Sequence, residues 1–238
     1  METLRKWLSE YPEAHILDVA TGTGAFLGLM METGSLIGRS MGIDCSERAI
    51  QNARHGSIDF PNFRFETMDA SQMNFPDATW DIVTMANSLH HLPNRRKVLH
   101  EMERVLRPGG IIIIQEMVAD GLTAPQLSHR KFHHLSAEID RTLGICHRPT
   151  YTRAEICSWI REHSSLALAD EWVMKFPPAE KPNQVEIESL FSMMDRMVDR
   201  VLDDQKKSLF VAKARRIRSY IEKHGCDSCP ELMLVLKK

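Results

Sequence analysis

Ile16-Leu17-Asp18-Val19-Ala20-Thr21-Gly22-Thr23-Gly24, followed by a helix-compatible stretch over 25–32, is the segment that decides how this chain folds. Ile16, Leu17 and Val19 form a short apolar run that ends in small residues, the pattern of a buried strand entering a tight turn before a helix. Gly22 and Gly24 reach backbone angles closed to other residues and let a ligand approach the main chain. The first N–H groups of the following helix face the same space. A glycine-rich turn of this kind also occurs as a plain strand-to-helix connection, so the rest of the chain has to discriminate.

Two later acids do so. Met41-Gly42-Ile43-Asp44 is a second apolar strand ending in an acid, and Phe63-Arg64-Phe65-Glu66-Thr67-Met68-Asp69 is a third. Acids at successive strand ends line the carboxyl edge of a parallel sheet, where open α/β folds bind their ligands. Downstream, the spacing predicts a fourth strand over 80–86, an amphipathic helix over 94–106, a turn at Pro108-Gly109-Gly110 and a doubly covered strand over 111–116.

Taken together, Leu17-Asp18-Val19-Ala20-Thr21-Gly22-Thr23-Gly24, Gly42-Ile43-Asp44, Met68-Asp69-Ala70, Trp80-Asp81-Ile82-Val83 with Leu89-His90-His91-Leu92, and Leu106-Arg107-Pro108-Gly109-Gly110 resemble the class I S-adenosylmethionine-dependent methyltransferases. The wording is nearest to the small-molecule branch that includes the ubiquinone and menaquinone C-methyltransferases. Ala20 stands where the general motif has glycine, and alanine is known there in that branch. The resemblance implies an α/β, doubly wound, Rossmann-like domain with a seven-stranded, mostly parallel sheet, an antiparallel last strand and helical insertions. It also implies S-adenosylmethionine as cofactor and a small molecule as methyl acceptor. The cofactor would be held by Asp18, Ala20, Thr21, Gly22, Thr23 and Gly24 in the first turn and by Asp44, with Cys45 beside it, on the ribose. Met68, Asp69 and Ala70 would serve the adenine, and Asn87 and Ser88 the methionine part. The departure from the Asn-Pro-Pro-Tyr signature at Asn87-Ser88-Leu89-His90 argues against nucleobase or glutamine amide acceptors.

Among the remaining side chains, His90 is the candidate general base, because imidazole titrates near neutrality. His129 and His133 lie four apart on the helix expected over 125–143, with Asp140 beyond them. That spacing can hold a metal, but a polar helix flank is the commoner explanation and no third ligand is fixed, so no metal is assigned. Cys226 and Cys229 have no second pair, and a turn before the last strand accounts for them. Met193, Met194 and Met197 are expected in a core.

The chain has 238 residues and a net charge of −2. One methyltransferase domain over 1–238 is expected, with helical insertions over about 121–145 and 178–226. A helix over 1–12 leads in. The second insertion reads as an acid-rich helix, started by a capping box at Asn183 and Glu186, followed by a basic helix over 205–224 that ends at Gly225. The charge balance argues against general nucleic-acid binding, and no apolar run is long enough for a membrane span. An odd number of cysteines, five, with no signal peptide before the first core strand, points to the cytoplasm. The insertion over 121–145 is expected to roof the acceptor site. Two further readings are a dinucleotide-dependent oxidoreductase, disfavoured because Leu27 replaces the third glycine of that fingerprint, and a non-catalytic S-adenosylmethionine-binding regulatory protein.

Overall fold

The computed structural model describes residues 1–34, 37–56, 62–175 and 184–238. Seven strands, β1 (Ala14–Val19), β2 (Ile37–Asp44), β3 (Phe63–Thr67), β4 (Trp80–Ala86), β5 (Leu106–Met117), β6 (Ala167–Met174) and β7 (Glu231–Lys237), form one sheet in the order β3-β2-β1-β4-β5-β7-β6. β1 to β5 run parallel, and β7 is antiparallel to both its neighbours. The order reverses between β1 and β4, and at such a switch point the connections leave in opposite directions and open a crevice at the strands' carboxyl ends. Ile16, Leu17 and Val19 of β1 and Ile111 to Ile114 of β5 are fully buried, as expected of central strands covered on both faces.

Contacts divide the chain into two compact units. The first comprises Met1–Glu116, Cys157–Met174 and Leu232–Lys238. Its helices are α1 (Glu2–Ser9), α2 (Ala25–Glu32), α3 (Glu47–Gly56), α4 (Arg95–Val105) and most of α6 (Arg153–His163). The core gathers Leu27 and Met30 from α2, Ile50 and Ala53 from α3, and Leu4 and Leu8 from α1 with strand residues such as Ile82, Ile113 and Val235. α1 is shorter than the expected 1–12. Tyr11 beyond it donates to the Gly109 carbonyl at 2.9 Å, near the amino end of β5.

The expected turn at Pro108-Gly109-Gly110 lies inside β5. Pairing with β4 shifts between Trp80↔Leu106 and Ile82↔Ile111, and Gly109 takes φ +79 there. A bulge tolerates Pro108, which has no N–H to give the ladder. β2 starts at Ile37, ahead of the Met41–Asp44 stretch read as the second strand. The expected cap at Asn183 lies outside the described residues.

The second unit comprises Met117–Ile156 and Lys175–Glu231 and holds α5 (Ala124–Thr142), α7 (Gln184–Asp199) and α8 (Asp204–His224). The two stretches read separately as insertions share one core. Leu135 and Ile139 of α5 pack with Met194 and Val198 of α7 and Phe210, Ala214 and Ile221 of α8. Ion pairs Lys207–Asp199 and Arg218–Asp195 join the acid-rich and basic helices at 2.8 and 2.5 Å, and Lys213 pairs with Glu138 of α5. Met194 is buried as expected, whereas Met193 is exposed. A reciprocal capping box starts α5 at Thr123 with Gln126, and Thr152 with Glu155 starts α6 in the same way.

Close packing at the ligand edge of the sheet depends on Gly42. A Cβ there would come within 2.6 Å of Phe65 Cδ1 and 2.8 Å of Thr21 Cγ2. Gly42→Ala is expected to cost about 1–3 kcal/mol by overpacking, read as a lowered midpoint in urea unfolding. An unchanged midpoint would show that Phe65 and Thr21 yield freely.

Candidate active site

Burial of Asp18 organises the turn after β1. The residue is 1% exposed, and its carboxylate accepts from Thr21 Oγ1 and Thr84 Oγ1, each at 2.6 Å. Thr84 stands opposite Asp18 in the β1–β4 register, so one side chain ties both strands at the switch point. Burial drives the Asp18 carboxyl up to about 6 from 3.8; the two threonine hydrogen bonds oppose this, and the Asp44 charge adds to it. Ala20, Gly22 and Gly24 all take left-handed backbone angles, with φ of 54, 56 and 79. This conformation costs a non-glycine residue about 1–2 kcal/mol, which is why a glycine suits position 20.

Asp44 braces the same turn from β2. Its Oδ2 accepts from Gly22 N and its Oδ1 from Ser46 N, both at 2.9 Å. A carboxylate offers about four lone-pair sites, so acceptor capacity remains for hydroxyls of a ligand. Nothing lies within 4 Å of where a Gly22 side chain would begin, which leaves the approach to the turn open. Thr23 is exposed on its outer side.

Ala20, Asp44, Cys45, Met68, Asp69 and Ala70 line one cleft of about 250 Å³. All six were singled out from sequence. Ser71, Leu92, Pro93, Asn94 and Val98 complete the wall. Leu92 closes the Leu-His-His-Leu string already noted, and the apolar spacing of α4 contains Val98; nothing local marked the other three. The volume lies just below the roughly 300–1,000 Å³ of sites for whole drug-sized ligands, so the cleft suits part of a larger molecule. Asp69 Oδ1 accepts from Ser71 N at 2.8 Å, and hydrogen bonding from Ser71 holds its carboxyl below the usual range. Burial, helped by Asp44, pushes the Cys45 thiol up, so a neutral sulfur faces the cleft.

Asp18, Thr21, Gly22, Thr23, Gly24, Asn87 and Ser88 frame the site without lining this cleft. Ser88 Oγ lies 2.8 Å from the Ala86 carbonyl and 3.3 Å from that of Ala20, joining the end of β4 to the first turn. Asn87 is held at φ 47, with its N–H on the Gln115 carbonyl at 2.8 Å. Such strain in a non-glycine residue collects at functional sites.

His90 is 2% exposed, and its Nδ1 lies 2.5 Å from Oε1 of Glu116, which is itself 1% exposed. The other Glu116 oxygen accepts from Leu89 N at 2.9 Å. Sequence reasoning missed this carboxylate, because Glu116 reads there only as a strand end. His91 is exposed. Of the metal candidates, His129 Nδ1 accepts from Cys229 N at 3.1 Å. Burial pushes the thiols of Cys226 and Cys229 up to about 11, unlike the lowered thiol of a reactive redox pair.

The raised Asp18 pKa carries a stability signature. The folded protein keeps a proton on Asp18 where the unfolded chain has lost it, so between about pH 4 and 6 this group lowers stability as pH rises, by up to roughly 3 kcal/mol. Asp18→Asn should remove that slope. Urea unfolding of both proteins at several pH values from 4 to 7 checks it, and parallel profiles would sink the assignment.

Residues 17–114 match the methyltransferase domain family. A demethylmenaquinone methyltransferase from Lysinibacillus sphaericus is 30% identical over 111 residues, which are 47% of this chain and 47% of that protein. The chain spans about half or less of the length of the curated relatives it matches. Two solved structures are similar over the whole chain. A candidate methyltransferase from Bacillus halodurans aligns at TM-score 0.64 and 19% identity, covering 100% of this chain and 97% of that one. The [4+2]-cyclase SpnF aligns at TM-score 0.60 and 18% identity, covering 100% and 80%. Residues 17–114 thus carry the methyltransferase-domain signature, and the chain has the fold of the class I S-adenosylmethionine-dependent methyltransferases.

Proposed function

We propose that the protein is an enzyme that transfers a methyl group from S-adenosylmethionine to a small organic acceptor in the cytoplasm. The observation that carries this reading is the convergence of Ala20, Asp44, Cys45, Met68, Asp69 and Ala70 on one cleft at the sheet's switch point. The donor set fits the nucleoside end of that cofactor. Asp44 keeps lone pairs for two ribose hydroxyls, Asp69 offers a charged acceptor for an amino group, and Met68, Ala70, Leu92 and Val98 give a flat ring apolar walls. When bound, the sulfonium supplies a methyl group already attached to a good leaving group, so positioning and exclusion of water account for much of the acceleration. The left-handed turn at Ala20 and Gly22 brings backbone close to the ligand, and Asp18 keeps that turn in place. All five cysteines are free thiols, which supports a reducing compartment. Among the described residues no helix is long and apolar enough to cross a membrane.

His90 serves in this proposal as the base toward the acceptor. Glu116 orients the ring through Nδ1, which places proton exchange at Nε2, and the paired carboxylate stabilises the imidazolium that forms. Acceptor choice is assigned to the second unit. The family match ends at residue 114, whereas that unit begins at Met117, so the relatives' substrates are not carried over with the match. The oxidoreductase alternative is weakened further by Leu27, fully buried in α2, where dinucleotide binding needs a glycine. A second reading is a protein whose cleft holds the cofactor without methyl transfer, since a fold does not by itself fix an activity.

Calorimetry should show binding of S-adenosylhomocysteine and none of NAD; the reverse result would overturn the cofactor assignment. Asp44→Ala should weaken binding by at least tenfold, since each hydrogen bond to a charged acceptor contributes about 1.5–3 kcal/mol. Labelled S-adenosylmethionine incubated with a metabolite pool should yield a labelled product. Product-free binding would favour the non-transferring reading. His90→Ala and Glu116→Gln are both expected to lower turnover with little change in cofactor affinity. Unaltered turnover in both would remove the dyad from the mechanism.

A further inference from the structure

The second unit contains a polar cluster built on α5 and the loop after it. His133, on α5, and His147, in the loop after it, bring their Nε2 atoms to 3.3 Å of each other. Their rings cross at 78° with centroids 4.8 Å apart. His147 is 4% exposed, and its Nδ1 lies 2.7 Å from Asp140 Oδ2. Arg200 holds the other Asp140 oxygen at 2.9 Å, and Arg141 donates to the His147 carbonyl at 2.9 Å. Asp140 therefore takes the Nδ1 proton of His147 in a hydrogen bond and leaves Nε2 to present a lone pair.

Two readings compete for this pair. In the first, the imidazoles share an N–H···N hydrogen bond, for which 3.3 Å lies toward the long end. In the second, both nitrogens point at one ion. Two nitrogens bound at 2.0–2.1 Å to a tetrahedral centre lie about 3.3–3.4 Å apart, which is the separation seen. A carboxylate on the far nitrogen of a ligating histidine is also the usual arrangement around zinc, where it fixes the tautomer and raises the basicity of the ring.

We propose that His133 and His147 are two ligands of a divalent transition-metal ion of the zinc class, with Asp140 as the positioning carboxylate. Imidazole pairs of this kind suit zinc, nickel or copper rather than magnesium or calcium, which take oxygen donors. The pair on which sequence first raises the question, His129 and His133, is not the ligating one, because His129 is committed to the Cys229 backbone. The partner that spacing on one helix leaves out is His147.

The test uses metal alone and so stands apart from methyl transfer. Chelator-stripped full-length protein is titrated with Zn²⁺ by calorimetry and with Co²⁺ by visible absorption. One ion per chain and a tetrahedral Co²⁺ spectrum are expected. His133→Ala and His147→Ala should abolish both, and Asp140→Asn should weaken binding roughly 10–100-fold. His129→Ala should leave affinity unchanged. Circular dichroism of the metal-free variants separates lost folding from lost ligands, with His133→Gln as the volume-conserving substitute should an alanine variant fail to fold. Absence of binding by the native protein, or undiminished binding by the His133→Ala/His147→Ala double variant, overturns the proposal.

Discussion

A carboxylate taken out of water needs hydrogen-bond donors close by, and Asp18 finds two in Thr21 and Thr84. Thr84 comes from the neighbouring strand, so the bond has to be made across the switch point. Thr21 comes from the turn itself, so accepting its hydroxyl bends the chain back over the strand end. From that bend follow the Thr21 N–H on the Ile43 carbonyl and the Gly22 N–H on Asp44. The left-handed angles at Ala20 and Gly22 follow as well. The ligand-facing loop is thus held by acids whose own charges are expensive to bury. This kind of strain is tolerated where a site has to be preorganised.

The second unit is held together differently. The Lys207–Asp199, Lys213–Glu138 and Arg218–Asp195 ion pairs are exposed on at least one side, and pairs of that kind contribute about 0–1 kcal/mol each. What stabilises it is the apolar seam of α5, α7 and α8, where Leu135, Ile139, Met194 and Ile221 lose nearly all contact with water. Burial of each such side chain contributes roughly 1.5–3 kcal/mol. Loss of α5 would remove one wall of that seam, so this helix is a structural member whatever else it does.

The strands and the first turn were legible from sequence because their signals are local. An apolar run such as 111–114, a glycine pair after Val19 and acids at 44 and 69 each declare themselves within a few residues. The cleft was legible for the same reason, since six of its lining residues sit at or just after strand ends. Features that depend on distant partners were not. Glu116 becomes meaningful only when β5 places it against His90, and Asn94 only when the loop after β4 returns to the cleft. The bulge at Gly109 escaped because a Pro-Gly-Gly run marks a turn and a bulge equally well. The common core of α5, α7 and α8 escaped because periodicity reports that a helix has an apolar face without naming its neighbour.

The position of β7 also bears on how the chain reaches its native state. β7 inserts between β5 and β6, and its residues Leu232 to Leu236 are fully buried. Every element from α5 to α8 is made between Met117, where β5 ends, and Glu231, where β7 begins. On the ribosome, β5 must therefore wait with one edge unpaired, and β6 with no strand partner at all, until β7 emerges. Pairings this remote in sequence form slowly, and open strand edges in the meantime are templates for association with other chains. The helical seam, built from elements that emerge before β7, can collapse first and shorten the effective search of the final strand. The rate at which the sheet closes is then set by the helices that precede β7 in the chain.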